Sequence, residues 1–271
     1  MILSSPAWLL ATLSFGAVAA YALPALARGA SAGLVRSSLA AAWVLHGLVL
    51  ALGLVGESPR FGFAPSISVT AWLVLTVYAI ESRLFPNLKG YWALCGMGAV
   101  AVLLAFAFPG TPLAKNASPW LALHWAFGIA SYGLFAAAVV HGYLMGRAEA
   151  QMRQALQANA DQGVGLPLMT LERLMFGLIV GGFVLLTGTL LAGWLFADSL
   201  YGAGAAWKWN HKTIFSTLSW LAFAALLWGR WQLGWRGKRA VRMLYAGAGL
   251  LLLGYAGSRF VLEVILQRGA V

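Results

Sequence analysis

Polar residues in this chain come in short clusters, and long apolar runs lie between them, at roughly 5–27, 35–55, 66–85, 91–109, 119–144, 174–196, 213–229 and 241–265. Each is near the length, about 20 residues, that a helix needs to cross a hydrocarbon core of roughly 30 Å. The runs are continuous. They lack the period-two alternation of barrel strands, so they predict helices. The expected fold is all-α: a polytopic membrane bundle of eight transmembrane helices, with residues 1–271 as a single integral membrane domain. The first run, "MILSSPAWLLATLSF", has no basic stretch before it and reads as a membrane helix, not as a cleaved leader.

The breaks are informative too. Ser118-Pro119 is a helix start, with serine as N-cap and proline at the first helical position, and it puts His124 about one and a half turns inside the fifth helix. The longest polar segment, 146–173, carries "GRAEAQMRQALQANADQ", good helix formers with spaced Met152 and Leu156. It is expected to be a helical linker that extends the fifth helix, broken by Gly163, Gly165 and Pro167 before the sixth.

Composition agrees with the runs. The chain is 61% hydrophobic and 9% charged, against about a quarter charged in soluble domains. The formal net charge is +11. The basic residues are spread over inter-helix loops with no aromatic-basic platform, so no nucleic-acid partner is expected. Their placement sets orientation. Twelve lie after helices one, three, five and seven: Arg28, Arg36, Arg83, Lys89, Arg147, Arg153, Arg173, Arg230, Arg236, Lys238, Arg239 and Arg242. Six lie on the other side: Arg60, Lys115, Lys208, Lys212, Arg259 and Arg268. The positive-inside rule then puts both termini and the loop 197–212 on the outer, periplasmic side of a bacterial inner membrane, and segment 146–173 in the cytoplasm. The single cysteine, Cys95, excludes a disulfide framework, a CxxC redox pair and a CxxCH haem attachment within this chain.

Four histidines stand out against this background. His46 is near the middle of the second helix, and His124 is in the outer part of the fifth. His141 is at the inner end of the fifth, and His211 is at the outer start of the seventh. An ionisable group inside a membrane span is a functional candidate, and neutral imidazole is a common ligand of metals, haem iron included. Blander roles compete. His46 would serve equally to hydrogen-bond a neighbouring helix, and His141, near Tyr143 and Arg147, reads best as an interfacial anchor. Arg259 and Glu263, four apart in the last span, read as a helical ion pair.

The most unusual stretch is "YGAGAAWKWNHK". Trp207 and Trp209 are part of an interfacial aromatic belt or, two residues apart on a loop shaped by Gly202 and Gly204, a shelf for a flat amphipathic ligand, with Lys208 and Lys212 at its anionic edge. The run Ala203–Asn210 resembles the W-G-x-x-W-x-W-D signature of the cytochrome c assembly family, the membrane haem-handling proteins that include CcmC, CcsA and HemX. Gly204, Trp207 and Trp209 match it; Ala203 stands for its first tryptophan and Asn210 for its aspartate. The stretches that begin at 63, 123 and 212, and the basic turn "GWRGKRA", are similar to the family's, most of all to its short eight-span branch typified by YpjD. The resemblance implies a non-enzymatic role: haem held on an outer tryptophan platform, ligated by histidine, and presented to other cytochrome c maturation proteins. His124 matches the family's first outer histidine, and His46 resembles one that some members carry in an early span. The second outer histidine, near the end of the last span, is missing from "RFVLEVILQRGAV"; another, found late in the span after the motif, is replaced at about Trp228. His211 stands where the family usually has proline, and is the remaining candidate for an outer ligand. The expected partners are thus haem, membrane lipid and maturation proteins. Two alternatives stand beside this reading: a non-enzymatic regulatory or scaffold protein on the same fold with a degraded haem site, and a secondary transporter or channel. The second would call for paired charges or broken helices within the membrane.

Overall fold

A computed structural model describes residues 7–26, 31–55, 60–84, 91–112, 119–157, 168–196 and 210–266. Among them are eight long helices: α1 (Ala7–Leu26), α2 (Ala32–Val55), α3 (Phe63–Leu84), α4 (Tyr91–Ala107), α5 (Pro119–Gln157), α6 (Leu168–Leu195), α7 (His211–Leu233) and α8, which begins as Gly237–Leu252. α8 continues through two wider, π-helical turns, Leu253–Gly257 and Val261–Ile265, on either side of Ser258–Phe260. A two-residue antiparallel pair, β1 (Arg60–Phe61) with β2 (Thr111–Pro112), is the remaining regular structure described. Among the described residues, seven helices are long and apolar enough to cross a membrane. α4 is shorter: its 17 residues span about 25 Å at 1.5 Å per residue.

The helix ends differ from the sequence expectation where a charge proved to lie inside. α6 begins at Leu168, not near 174, because Glu172 is buried in its first turns and meets Arg230 of α7 at 3.2 Å. α5 starts at Pro119 and runs unbroken for 39 residues. Ser118, Gly163, Gly165 and Pro167 lie outside the described residues, as does 197–209.

The chain divides into two compact units. The first holds 1–76, 90–115 and 255–271. In it α1 packs on α2 and on α4, and polar bonds join the helices. Pro24 in α1 has no N–H, which leaves the carbonyl of Ala20, four residues earlier, without its helical donor. The Ser38 hydroxyl of α2 donates to that carbonyl, as a lipid-embedded backbone requires. Trp43 and Trp72 stack at 4.9 Å between centroids; Trp43 Nε1 donates to Thr76 Oγ1, and Trp72 Nε1 donates to the Trp43 carbonyl.

The second unit holds 77–89 and 116–254. Its four long helices touch in cyclic order, α5 with α6, α6 with α7, α7 with α8, and α8 with α5. At the centre, the rings of Phe135 (α5) and Phe223 (α7) stack face to face, centroids 3.7 Å apart and 3° from parallel. Each ring also has a glycine close beside it, Gly182 of α6 for Phe135 and Gly247 of α8 for Phe223. Ser219 Oγ donates to the Gly247 carbonyl, and the Tyr132 hydroxyl donates to the Leu251 carbonyl just ahead of the widened turn. α7 ends at Gly234, whose φ of 63° suits glycine. The chain then folds back: Trp235 N donates to the Gly229 carbonyl, and the Trp235 ring lies on Gly229, where any side chain would overlap it.

Candidate functional site

His124 sits half-buried in the N-terminal part of α5. Its Nδ1 lies 3.0 Å from the carbonyl oxygen of Thr189 on α6. A carbonyl only accepts, so Nδ1 carries the proton and Nε2 carries the lone pair. The close approach of the two helices is built in. Gly128 of α5 faces the Thr189 side chain, and Gly188 of α6 faces the Phe127 ring so closely that a Cβ there would come within 2.9 Å of it. The imidazole is thereby fixed in tautomer and direction, as metal-ligating histidines commonly are by a carbonyl on their other nitrogen. No hydrogen-bond partner of Nε2 is found among the described residues.

The end of the tryptophan motif is a helix start. Asn210 is the N-cap of α7: its Oδ1 accepts from Thr213 N at 3.0 Å and from Thr213 Oγ1 at 3.2 Å. His211 is the first residue of the helix and is exposed; Lys212 follows it in the first turn, partly buried. The family's Asp-Pro at these two positions has the same logic, since aspartate caps and proline is favoured at the first helical position. Gly204, Trp207, Lys208 and Trp209 lie outside the described residues.

His46 is differently placed. It belongs to the first unit, is fully buried, and has both ring nitrogens engaged. Nδ1 lies 3.0 Å from the Tyr21 hydroxyl of α1, and Nε2 lies 2.8 Å from the Ser68 hydroxyl of α3. The Tyr21 ring is held by Gly98 of α4, where a Cβ would approach it to 2.7 Å. In this arrangement His46 ties three helices together, and ligation through either nitrogen would displace a hydroxyl.

His141 corrects the sequence expectation of an interfacial anchor. It is 3% exposed, with Nε2 2.9 Å from Glu81 Oε2 of α3. Its Nδ1 faces the Ala137 carbonyl at 2.8 Å. The Nε2–Oε2 contact is close but not aligned as a hydrogen bond. Burial won over the interface because the two side chains answer each other. The Arg259–Glu263 pair is present at 3.7 Å. Beyond it, Glu263 Oε2 accepts from Phe63 N at 3.4 Å, so this carboxylate also caps the start of α3. That contact spans 200 positions and has no local signal. The partners of His141 and Arg230 did have one: Glu81 and Glu172 are acids at the edge of apolar runs.

Among the described residues, the histidine best suited to ligate a haem iron is His124, whose Nε2 has no hydrogen-bond partner among them; His46 is less suited, since both of its nitrogens are engaged. Among the described residues no three His, Cys, Asp or Glu side chains gather as a metal cluster, and a histidine-ligated iron does not call for one.

The comparisons with known proteins converge. The family described as "Cytochrome C assembly protein" matches residues 31–266. Inner membrane protein YpjD of Escherichia coli K12 is 29% identical over 201 residues, 73% of each chain. Cytochrome c biogenesis protein CcsA of Prochlorococcus marinus is 26% identical over 263 residues, covering 84% of this chain and 81% of its own. CcsA of a Synechococcus species is 28% identical over 297 residues, covering 94% and 93%. No solved structure is significantly similar. With a family match across most of its length and seven helices able to cross a bilayer, this chain is a multi-pass inner-membrane protein and belongs to the cytochrome c assembly protein family.

Proposed function

We propose that the protein is a non-enzymatic haem-handling protein of cytochrome c assembly that presents haem at its outer face to other maturation proteins. The observation that carries this reading is His124, with Nδ1–H held by the Thr189 carbonyl and Nε2 without a hydrogen-bond partner among the described residues. In the proposal the membrane is crossed eight times, α4 included, and both termini lie outside. Segment 146–173 is a cytoplasmic linker, and loop 197–212 is the haem platform. Trp207 and Trp209 supply the stacking surface, and Lys208 and Lys212 meet the propionates. Asn210 sets the start of α7, and Gly204 shapes the loop. His211, exposed at that start, is the second outer ligand, and His46 is an internal ligand only if Tyr21 and Ser68 yield it. Haem bound here supplies the iron and the porphyrin that the partner apocytochrome takes up; the chain's own residues bind and orient it. No nucleic acid takes part.

The test is absorption spectroscopy of the purified full-length protein loaded with haem. The expected result is a Soret band that His124→Ala weakens strongly and shifts, and that Trp207→Ala and Trp209→Ala also weaken. A protein that takes up no haem, or one indifferent to His124→Ala, ends this reading.

A second reading, a regulatory or scaffold protein with a degraded haem site, is favoured by a specific observation. The last span has Glu263 and Arg259 where the family has a histidine, and Glu263 is spent on the start of α3. In that case Trp207→Ala and His211→Ala leave cytochrome c yield unchanged, and substitutions in 146–173 abolish function.

A further inference from the structure

At one end of the second unit, five cations have no acid paired with them among the described residues. They are Arg147 on α5, Arg236 in the α7–α8 turn, and Lys238, Arg239 and Arg242 on the first turns of α8, all exposed. Their common end follows from the register of α5 against α8. Tyr132 bonds to Leu251, and Gly142 packs on Val241, Leu244 and Tyr245, so the two helices run antiparallel and Arg147 lies beside the start of α8. The described acids of this unit are already engaged: Glu149 with Arg153, Glu172 with Arg230, and Glu81 with His141.

The turn that carries the patch is rigidly built. The Trp235 ring rests on Gly229. Arg230 Nη1 reaches both Glu172 and the Trp235 carbonyl, while its guanidinium lies 4.5 Å from the Phe176 ring. Arg239 stacks 4.1 Å over the Trp235 ring, which aims its guanidinium without neutralising it. Lys238 and Arg242 are one turn apart on a single face, with Arg239 beside them.

We propose that this end of the protein is a binding site for an anionic phospholipid, with Lys238, Arg239 and Arg242 on its phosphate. A guanidinium can take a phosphate through two parallel N–H donors. The ligand is a lipid and not a soluble polyanion because exposed aromatic side chains stand within a turn or two of these cations along the chain. Trp231 is 80% exposed, and Tyr143 and Tyr245 are about half exposed. A hydrated nucleic acid or acidic peptide would leave those rings in water. Glycerol and the first acyl carbons of a bilayer lipid would cover them, below a headgroup held by the cations.

The test is native mass spectrometry of the full-length protein in neutral detergent, titrated with phosphatidylglycerol or phosphatidylcholine. Phosphatidylglycerol is expected to bind in preference. The triple variant K238Q/R239Q/R242Q should bind it on the order of 100-fold more weakly, from roughly fivefold per charge at an anionic surface. A control losing three exposed cations elsewhere, R60Q/R83Q/R153Q, should bind like the unmodified protein. Should the triple variant fail to fold, R239K/R242K decides instead: it keeps the charge, loses the planar donors, and is expected to bind several-fold more weakly. Equal binding of the two lipids overturns the proposal. So does an equal loss in the control, which would mean diffuse attraction. Displacement of phosphatidylglycerol by millimolar inorganic phosphate also overturns it, as the mark of a plain anion site. None of these outcomes depends on haem.

Discussion

Gly182→Ala and Gly247→Ala test the central packing of the second unit. A Cβ at 182 would lie 2.9, 3.0 and 3.1 Å from Cε1, Cζ and Cδ1 of Phe135. Carbon contacts are comfortable at about 3.5–4.0 Å, so the ring must retreat by roughly half an ångström or more. The Phe223 ring is already in contact with it at 3.7 Å and parallel. Phe223 in turn has Gly247 of α8 beside it, where a Cβ would come within 2.9 Å. The two rings therefore have little room to yield together. Overpacking of this kind costs about 1–3 kcal/mol. Replacing glycine by alanine within a helix returns about 1 kcal/mol. Each single variant should be destabilised by up to about 2 kcal/mol. The double variant should lose more than the sum, because neither ring retains an exit; couplings between contacting residues run about 0.5–3 kcal/mol. Phe135→Leu should recover part of the loss in the Gly182→Ala background. The assay is unfolding of the purified protein in mixed micelles, followed by circular dichroism. A double variant as stable as the unmodified protein, or more stable by the helix-propensity gain, would refute the stacked, glycine-flanked core.

Three other outcomes follow from buried contacts. Glu81→Ala or His141→Ala alone leaves a polar partner buried and should cost about 3–5 kcal/mol, whereas Glu81→Leu with His141→Leu should cost less than either; unfolding of the three variants decides the order. Tyr21→Phe deprives His46 Nδ1 of the Tyr21 hydroxyl in a site with no exposure. It should lower stability by about 1–3 kcal/mol, and a melting point equal to the parent's would break the three-helix tie. Gly188→Ala presses on Phe127 beside the His124–Thr189 bond, and haem titration should show affinity lowered about 10–100-fold, as for lost metal-site support.

How much of this was legible in the sequence depended on range. The apolar runs gave eight helices within a few residues, because length and continuity are local and the membrane enforces them. The boundary of α6 was missed because Glu172 reads as a loop charge until Arg230 is seen across from it. His46 was left open between ligand and interhelix tie, and nothing local could have decided it: its partners, Tyr21 and Ser68, come from two other helices. His124 was singled out by depth and by resemblance, yet the feature that makes it ligand-like, the Thr189 carbonyl 65 positions away, has no signature in the sequence. Carbonyl partners never do, since every residue carries one.

Asn210 separates two meanings of the tryptophan motif. If the motif's last polar residue serves haem, its charge matters. If it serves the helix, only its acceptor oxygen matters. The observed bonds are to Thr213 N and Thr213 Oγ1, both within the first turn of α7. No acid lies in that turn. Asn210→Asp restores the family residue, keeps the acceptor, and adds a negative charge at the positive end of the helix dipole. It should therefore be neutral or stabilising by about 0.3–1 kcal/mol at low salt. Asn210→Ala removes the acceptor and should cost about 1 kcal/mol. Hydrogen exchange of the α7 first-turn amides reports the cap directly: faster exchange in Asn210→Ala, unchanged or slower in Asn210→Asp. Haem titration of the same two variants reports the other role. Should Asn210→Asp alter haem affinity while leaving exchange alone, the residue contacts the ligand and the capping account of the motif is wrong. Should both variants track exchange only, the conserved-looking end of the signature is the start of a helix, and it acts on haem by fixing where the two tryptophans before it can stand.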